Sequence, residues 1–271
     1  MGLVVLFLIV AFIAFNVLYL SARGVFGARA LEPGGTLTQW IVLASAVIGT
    51  YVMLRQVEKL PWSTVALHRE AAAPSQLVRG TAWGALAIGL ASMVLVAAGQ
   101  LRIDPAPDGS WWRAAAGAAA MLLPAAFAEE LIMRGYVFSV LRRVGGWKLA
   151  LIVTSVIFGL LHAANPGANS QSILSVTLAG FLLGAVLLAT GSLYAAGATH
   201  FAWNWTMAAL LHAPVSGMPA AAPDYRTVDA GPDWLTGGQW GPESGLAAVA
   251  TEFILLFILY GRVLRRMESH A

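Results

Sequence analysis

Residues 121–141 read MLLPAAFAEELIMRGYVFSVL. Two adjacent carboxylates, Glu129 and Glu130, and one guanidinium, Arg134, interrupt a run otherwise dominated by apolar residues. The run is long enough to cross a bilayer, which takes about 20 residues. A charge near the bilayer centre costs from about 2.5 to about 17 kcal/mol, so an ionisable group kept there is a functional candidate by default. Two later apolar runs each carry a histidine, His162 and His200. Acids and imidazoles on separate apolar helices point to chemistry inside a membrane.

The rest of the chain agrees. Of its 271 residues, 59% are hydrophobic and 11% charged, against roughly 25% charged in a soluble domain. The composition therefore predicts an all-α, polytopic membrane helix bundle. Cysteine is absent, which excludes a disulfide framework and a Cys-ligated zinc site. The formal charge of +3 does not signal nucleic acid, because the basic residues are scattered at the ends of apolar runs. Residues 2–20 have no Lys or Arg before them and are long enough to span, so they read as a membrane anchor rather than a cleaved signal.

Eight spans are predicted, over 2–20, 38–54, 81–99, 113–141, 147–164, 172–190, 192–211 and 245–264. Together they make residues 1–271 a single integral membrane domain with core helices over 113–211. The segments 55–80, 101–112 and 212–244 are left as loops. The last carries Asp224, Asp229 and Asp233 and reads as an acidic extramembrane loop. An even number of spans puts both termini on one side. That side holds Arg55, Lys59, Arg69, Arg79, Arg142, Arg143, Lys148, Arg262, Arg265 and Arg266, and the other holds Arg23, Arg29, Arg102, Arg113 and Arg226. The excess of positive residues orients both termini toward the cytoplasm. The Ala- and Gly-rich composition suits a bacterial cytoplasmic membrane.

Helical rise places the polar residues at one depth. Gly145-Gly146 is a turn signal that makes spans four and five a hairpin. Glu129 precedes Arg142 by 13 residues, about 20 Å at 1.5 Å per residue. His162 follows Lys148 by 14 residues, about 21 Å. His200 and Asn204 are four apart and share a helix face. Glu252, ten residues before Arg262, lies about 15 Å in and is open to pairing with a basic group. These residues can meet in a polar pocket that opens more readily toward the cytoplasm. Glu130 and Arg134, at i and i+4, can form an ion pair. Glu129 points about 100° away, free to take a proton from water and return it.

Glu129-Glu130-Leu-Ile-Met-Arg134, followed by Gly135, resembles the first motif of the CPBP intramembrane protease family, also called the CAAX protease and bacteriocin-processing or ABI family. Phe158-Gly-Leu-Leu-His162, with Asn165 three residues on, resembles the second motif, and His200-Phe-Ala-Trp-Asn204 the third. The resemblance covers roughly 113–211. The loop 212–244 has no counterpart in it. The resemblance implies an endopeptidase that cuts a membrane-associated protein or peptide. Carried over, Glu129 is the general base and His162 its partner, with His200 and Asn204 as oxyanion donors. Glu130 and Arg134 form a supporting ion pair. The family is often called a metalloprotease, although a metal-free glutamate mechanism is also proposed for it. Zinc, if used, would be held by Glu129, His162 and His200, a three-ligand open site. The HExxH helix signature is absent.

Each residue also has a plainer reading. A lone His162 would be a core histidine, Asn204 an interhelical hydrogen bonder, and Phe158 a packing residue one turn before His162. Asn165, ahead of Pro166-Gly167, could cap a helix end. Trp111, Trp112, Trp203 and Trp205 suit interface anchoring or packing. Two rival functions use the same residues. A proton-coupled transporter needs intramembrane carboxylates and histidines, but no repeat or pair of broken helices is visible. A catalytically silent scaffold or immunity factor would keep the motifs without turnover. The partners expected are a membrane protein or peptide substrate and the lipid bilayer. The sequence fixes neither the substrate nor the oligomeric state.

Overall fold

The computed structural model describes residues 2–106 and 109–268. Residue 1, residues 269–271 at the end of the 1–271 domain and 107–108 of the 101–112 loop lie outside the described residues. The molecule is a helix bundle. Helix α1 spans Gly2–Phe26, α2 Thr36–Tyr51 with a π-helical continuation Val52–Val57, and α3 Pro74–Ala97. Helix α4, Trp111–Glu130, runs through a π-helical stretch, Leu131–Val137, into α5, Phe138–Leu161. Helices α6 (Ser170–Thr190) and α7 (Leu193–Trp205, then π-helical Thr206–Leu211) follow. The four-residue α8, Asp233–Thr236, precedes the last long helix, α9, Leu246–Glu268.

Most of these elements follow the predicted runs, but the eight expected spans are not all met. The run 192–211 is helical without being apolar enough to count as a span, since His200, Asn204 and their polar neighbours lower its hydropathy. Six stretches among the described residues are long and apolar enough to cross a membrane. One of them, Trp111–Ala164, contains two legs, because α5 leaves helical geometry at Gly145 and Gly146. Gly146 has φ 78°, a value that costs glycine nothing and other residues strain. The third helix starts at Pro74 rather than at the expected residue 81. Proline is suited to the first helical turn, where its missing N–H has no partner to lose, and Arg79 remains exposed on the added turns.

The exposed face of the bundle is apolar. Leu8, Ile9, Phe12, Ile13 and Val17 of α1 are exposed, as are Phe253, Ile254 and Phe257 of α9. A surface this apolar suits lipid, where helices satisfy their own backbone groups. Helix α7 is the opposite. Leu193, Ala195, Ala196, Gly197, Ala198, Thr199, His200, Ala202 and Trp203 are all buried, so α7 forms the centre of the bundle. Helix α3 approaches it through glycine. A Cβ on Gly84 would lie 2.1 Å from the Thr199 carbonyl oxygen, and one on Gly80 2.3 Å from that of Ala195. Small residues permit this backbone contact between membrane helices, and it fixes the turn of α7 that carries His200.

The segment 212–244 is structured. Its strand β2 (Tyr225–Asp229) pairs antiparallel with β1 (Leu101–Pro105), Leu101 opposite Asp229 and Pro105 opposite Tyr225. The loops after the third and seventh spans therefore meet, as two loops on one side of a membrane can. The segment then folds inward. Trp240, 1% exposed, packs with Met133, Phe158, Val176 and Leu183.

Candidate functional site

Glu129 and Glu130 end α4 where the helix widens into its π-helical stretch, a distortion common at functional sites. Glu130 is fully buried and Arg134 is 1% exposed. The expected ion pair between them is formed, with Arg134 Nη1 3.1 Å from Glu130 Oε1. Arg134 also donates to the Gly180 carbonyl at 3.2 Å and lies 4.1 Å above the Phe158 ring. Phe158 thus packs one turn before His162, as expected, and also sits under the buried cation.

Helix α7 brings His200 to both glutamates. Its Nδ1 donates to Glu130 Oε1 at 3.1 Å, and its Nε2 lies 4.0 Å from Glu129 Oε2. Because a carboxylate accepts, the Nδ1 proton is held by Glu130 and Nε2 is directed toward Glu129. His162 sits where α5 passes into a short 3-10 turn. Its Nδ1 donates to the Phe158 carbonyl at 2.8 Å, which likewise leaves Nε2 available. Among the described residues no hydrogen bond or ion pair joins Glu129 to His162; the contact of Glu129 is with His200. The Phe158 ring bridges the two imidazoles, with centroids 4.8 Å from His162 and 5.8 Å from His200.

A cavity of about 30 Å³ adjoins this cluster, lined by Phe158, His162, His200 and Asn204, and by Ser216 and Glu243 of the 212–244 segment. A larger cavity, about 290 Å³, lies on the other side of Arg134, among Ser63, His68, Ser139 and Arg142. Its lining has no paired carboxylate and imidazole, so the small cavity is the candidate site. Asn204 shares the cavity wall with His200, as their spacing predicts. Asn165 closes the 162–164 turn by donating its backbone N–H to the His162 carbonyl. Its side chain donates to the Ser216 carbonyl at 3.0 Å. Trp203 donates its indole N–H to Glu243 at 3.1 Å. The Trp111 and Trp205 indoles bond the carbonyls of Ala209 and Ala115, tying α4 to the end of α7.

Ser216 and Glu243 were not legible as site residues. They lie in a Pro- and Gly-rich segment with no periodicity, and nothing in the spacing marks a loop that returns to the helices. Glu252 differs from expectation. It is 1% exposed, and among the described residues neither carboxylate oxygen has a hydrogen-bond partner. Helical rise gave its depth but not the direction of its side chain.

Both imidazoles hold Nδ1 in a hydrogen bond and leave Nε2 free, the outer-shell pattern of a ligating histidine. Among the described residues, however, no three His, Asp or Glu side chains are gathered as a group that could hold a metal ion. The set Glu129, His162 and His200 is apt in chemistry but is not gathered around one point.

Fold and site together define a polytopic membrane helix bundle with a buried carboxylate–imidazole–guanidinium cluster. Residues 110–206 match the family model described as type II CAAX prenyl endopeptidase Rce1-like, the family that the three motifs resemble. Every motif residue named above lies inside that match, whereas Ser216, Glu243 and Glu252 lie outside it. No curated protein and no solved structure matches the chain.

Proposed function

We propose that this chain is an intramembrane endopeptidase of the CAAX type, hydrolysing a peptide bond in a membrane-associated protein or peptide. The observation that carries the reading is His200, bonded to Glu130 and facing Glu129, inside the segment that matches a peptidase family. In the proposed reaction Glu129 takes a proton from water, and the water oxygen attacks the scissile carbonyl carbon. His162, through its free Nε2, helps to orient that water. His200, carrying a proton on Nε2 as well as on the Nδ1 that Glu130 holds, and Asn204 donate to the oxyanion that forms. Donors of this kind are each worth about two to three orders of magnitude in rate. The proton held on Glu129 then passes to the leaving amine as the C–N bond breaks. Glu130 and Arg134 hold the His200 ring and touch no reacting atom.

No step is routed through a metal ion, because the three candidate ligands are not gathered around one point. The test is cleavage of a membrane-peptide library by purified, detergent-reconstituted protein beside Glu129→Gln, each with and without a chelator. Cleavage that falls by about a hundredfold or more in Glu129→Gln is the expected result, with no change on chelation. Loss of cleavage on chelation would put zinc on Glu129, His162 and His200 and overturn the metal-free route. Cleavage equal in both proteins would overturn the role of Glu129. Absence of cleavage in both would favour a silent scaffold.

A further inference from the structure

Glu243 stands outside every motif and outside the family match, yet its carboxylate lines the candidate cavity and is 8% exposed. A carboxylate that deep is costly unless donors surround it. Three do. The Trp203 indole N–H donates to Oε2 at 3.1 Å, and the Ser216 backbone N–H and hydroxyl donate to Oε1 at 2.6 and 2.9 Å. Hydrogen bonds to an ionised acceptor are the stronger kind. The network extends through the Ser216 carbonyl to the Asn165 side chain. One carboxylate therefore joins the third-motif helix, beside Asn204, to the second-motif turn, beyond His162. The backbone supports the same closure. A Cβ on Gly217 would lie 2.1 Å from the Pro166 carbonyl oxygen, and one on Gly241 2.1 Å from that of Pro214.

We infer that Glu243 is a positioning residue of the proposed protease site, a latch that holds the 212–244 segment against α7 as one wall of the cavity and fixes the helical turn bearing Asn204. The inference rests on the protease reading for its role in turnover, but the latch itself is a matter of structure. Its chemistry is specific. All three groups hydrogen-bonded to Glu243 are donors, and an ionised carboxylate is acceptor-only. Glutamine keeps the size, but its amide can accept through only one of its two terminal atoms. When that oxygen serves Ser216, an NH2 group is presented to the Trp203 N–H. The cavity has room for about two waters at roughly 10–15 Å³ each, so a peptide side chain enters it only if part of its lining moves, and the 212–244 wall is the part that Glu243 holds.

The native chain lacks cysteine, so a single introduced thiol is a clean probe. Thr199, 1% exposed, lines the cavity. In detergent-solubilised Thr199→Cys protein, the labelling rate with a small water-soluble thiol reagent reads opening of the wall. Adding Glu243→Gln is expected to speed labelling by about tenfold or more, the equivalent of one lost hydrogen bond to a charged group. Glu243→Asp should stay nearer the parent. Ala179→Cys, on the same cavity, serves as the probe if Thr199→Cys does not fold. Labelling that rises less than about threefold with Glu243→Gln would overturn the latch. In the cleavage assay, Glu243→Gln should lower kcat more than it changes KM, since it displaces Asn204 rather than removing a substrate contact. An equal fall in kcat with Glu243→Asp would overturn the positioning role. Failure of the protease reading is recognised separately, by cleavage indifferent to Glu129→Gln, and leaves the labelling result standing.

Discussion

Two glutamates are buried to the same degree in this bundle and have opposite surroundings. Glu130, at the end of α4, is fully enclosed, and its Oε1 accepts from both Arg134 and His200. Glu252, in α9, is 1% exposed, and among the described residues neither oxygen has a hydrogen-bond partner. Residue type and depth are therefore poor guides to role. A carboxylate held by a guanidinium and an imidazole, next to a second carboxylate and a cavity, belongs to the candidate site. A bare one has been tolerated. The distinction lies in which neighbouring helix faces it, and that is set by the packing of α7 against α3 and α4.

Removing the partner of Glu130 should have the largest effect. Arg134→Ala leaves a buried carboxylate without its cation, which typically costs about 3–5 kcal/mol. It also removes the contact with the Phe158 ring and the bond to the Gly180 carbonyl. Thermal unfolding in detergent should fall sharply. Adding Glu130→Gln should recover part of the loss, because the uncompensated charge is then gone. Unfolding of Arg134→Ala at the parent temperature would mean that this pair contributes nothing and would erase the contrast with Glu252.

Glu252→Leu is the converse and should be smaller in size and opposite in sign. A buried polar group left unsatisfied costs about 1–3 kcal/mol, and leucine fills a comparable volume with apolar atoms. The melting temperature should rise, and peptide cleavage should not change, since Glu252 is absent from the cavity wall beside His162 and His200. A fall in stability would show that Glu252 has a favourable interaction in the bundle, which would bring it closer to Glu130 in kind.

The contrast between the glutamates also marks where sequence reading stops. Spans were legible because a bilayer demands a minimum apolar length, and Gly145-Gly146 because Gly146 takes a positive φ that few residues adopt. The Glu130–Arg134 pair followed from i, i+4 spacing alone. Helical rise placed Glu129, His162 and His200 at one depth. It could not supply rotation about each helix axis, and so it did not show that His200 is the imidazole lying 4.0 Å from Glu129. The same gap left Glu252 open to a basic partner that it does not have among the described residues. Ser216 and Glu243 were invisible for another reason. Their approach to the site is made by an aperiodic segment whose course depends on β2 pairing with β1 and on Trp240 docking beside Met133.

A third glutamate, at the edge of the bundle, gives the smallest effect and sharpens the comparison. Glu58 follows the π-helical end of α2. It accepts from the Tyr136 hydroxyl at 2.5 Å and from Arg143 at 2.8 Å. Burial raises its carboxyl, but the hydrogen bonds from Arg143 and Tyr136, with the charge of Arg143, outweigh it and hold the group below the ordinary carboxylate range. A depressed folded-state pKa means that the folded protein binds this proton less readily than the unfolded chain does. The resulting stability is present above the unfolded value, near about 4.3, and is lost as pH falls through the lower folded value. Arg143 is 41% exposed, so solvent screening keeps the contribution small. Melting temperature measured from pH 6 to well below the unfolded value of about 4.3 should therefore decline slightly more steeply, below that value, for the native chain than for Glu58→Gln. Identical slopes would show that Glu58 is as poorly served by its neighbours as Glu252, despite the two donors that face it.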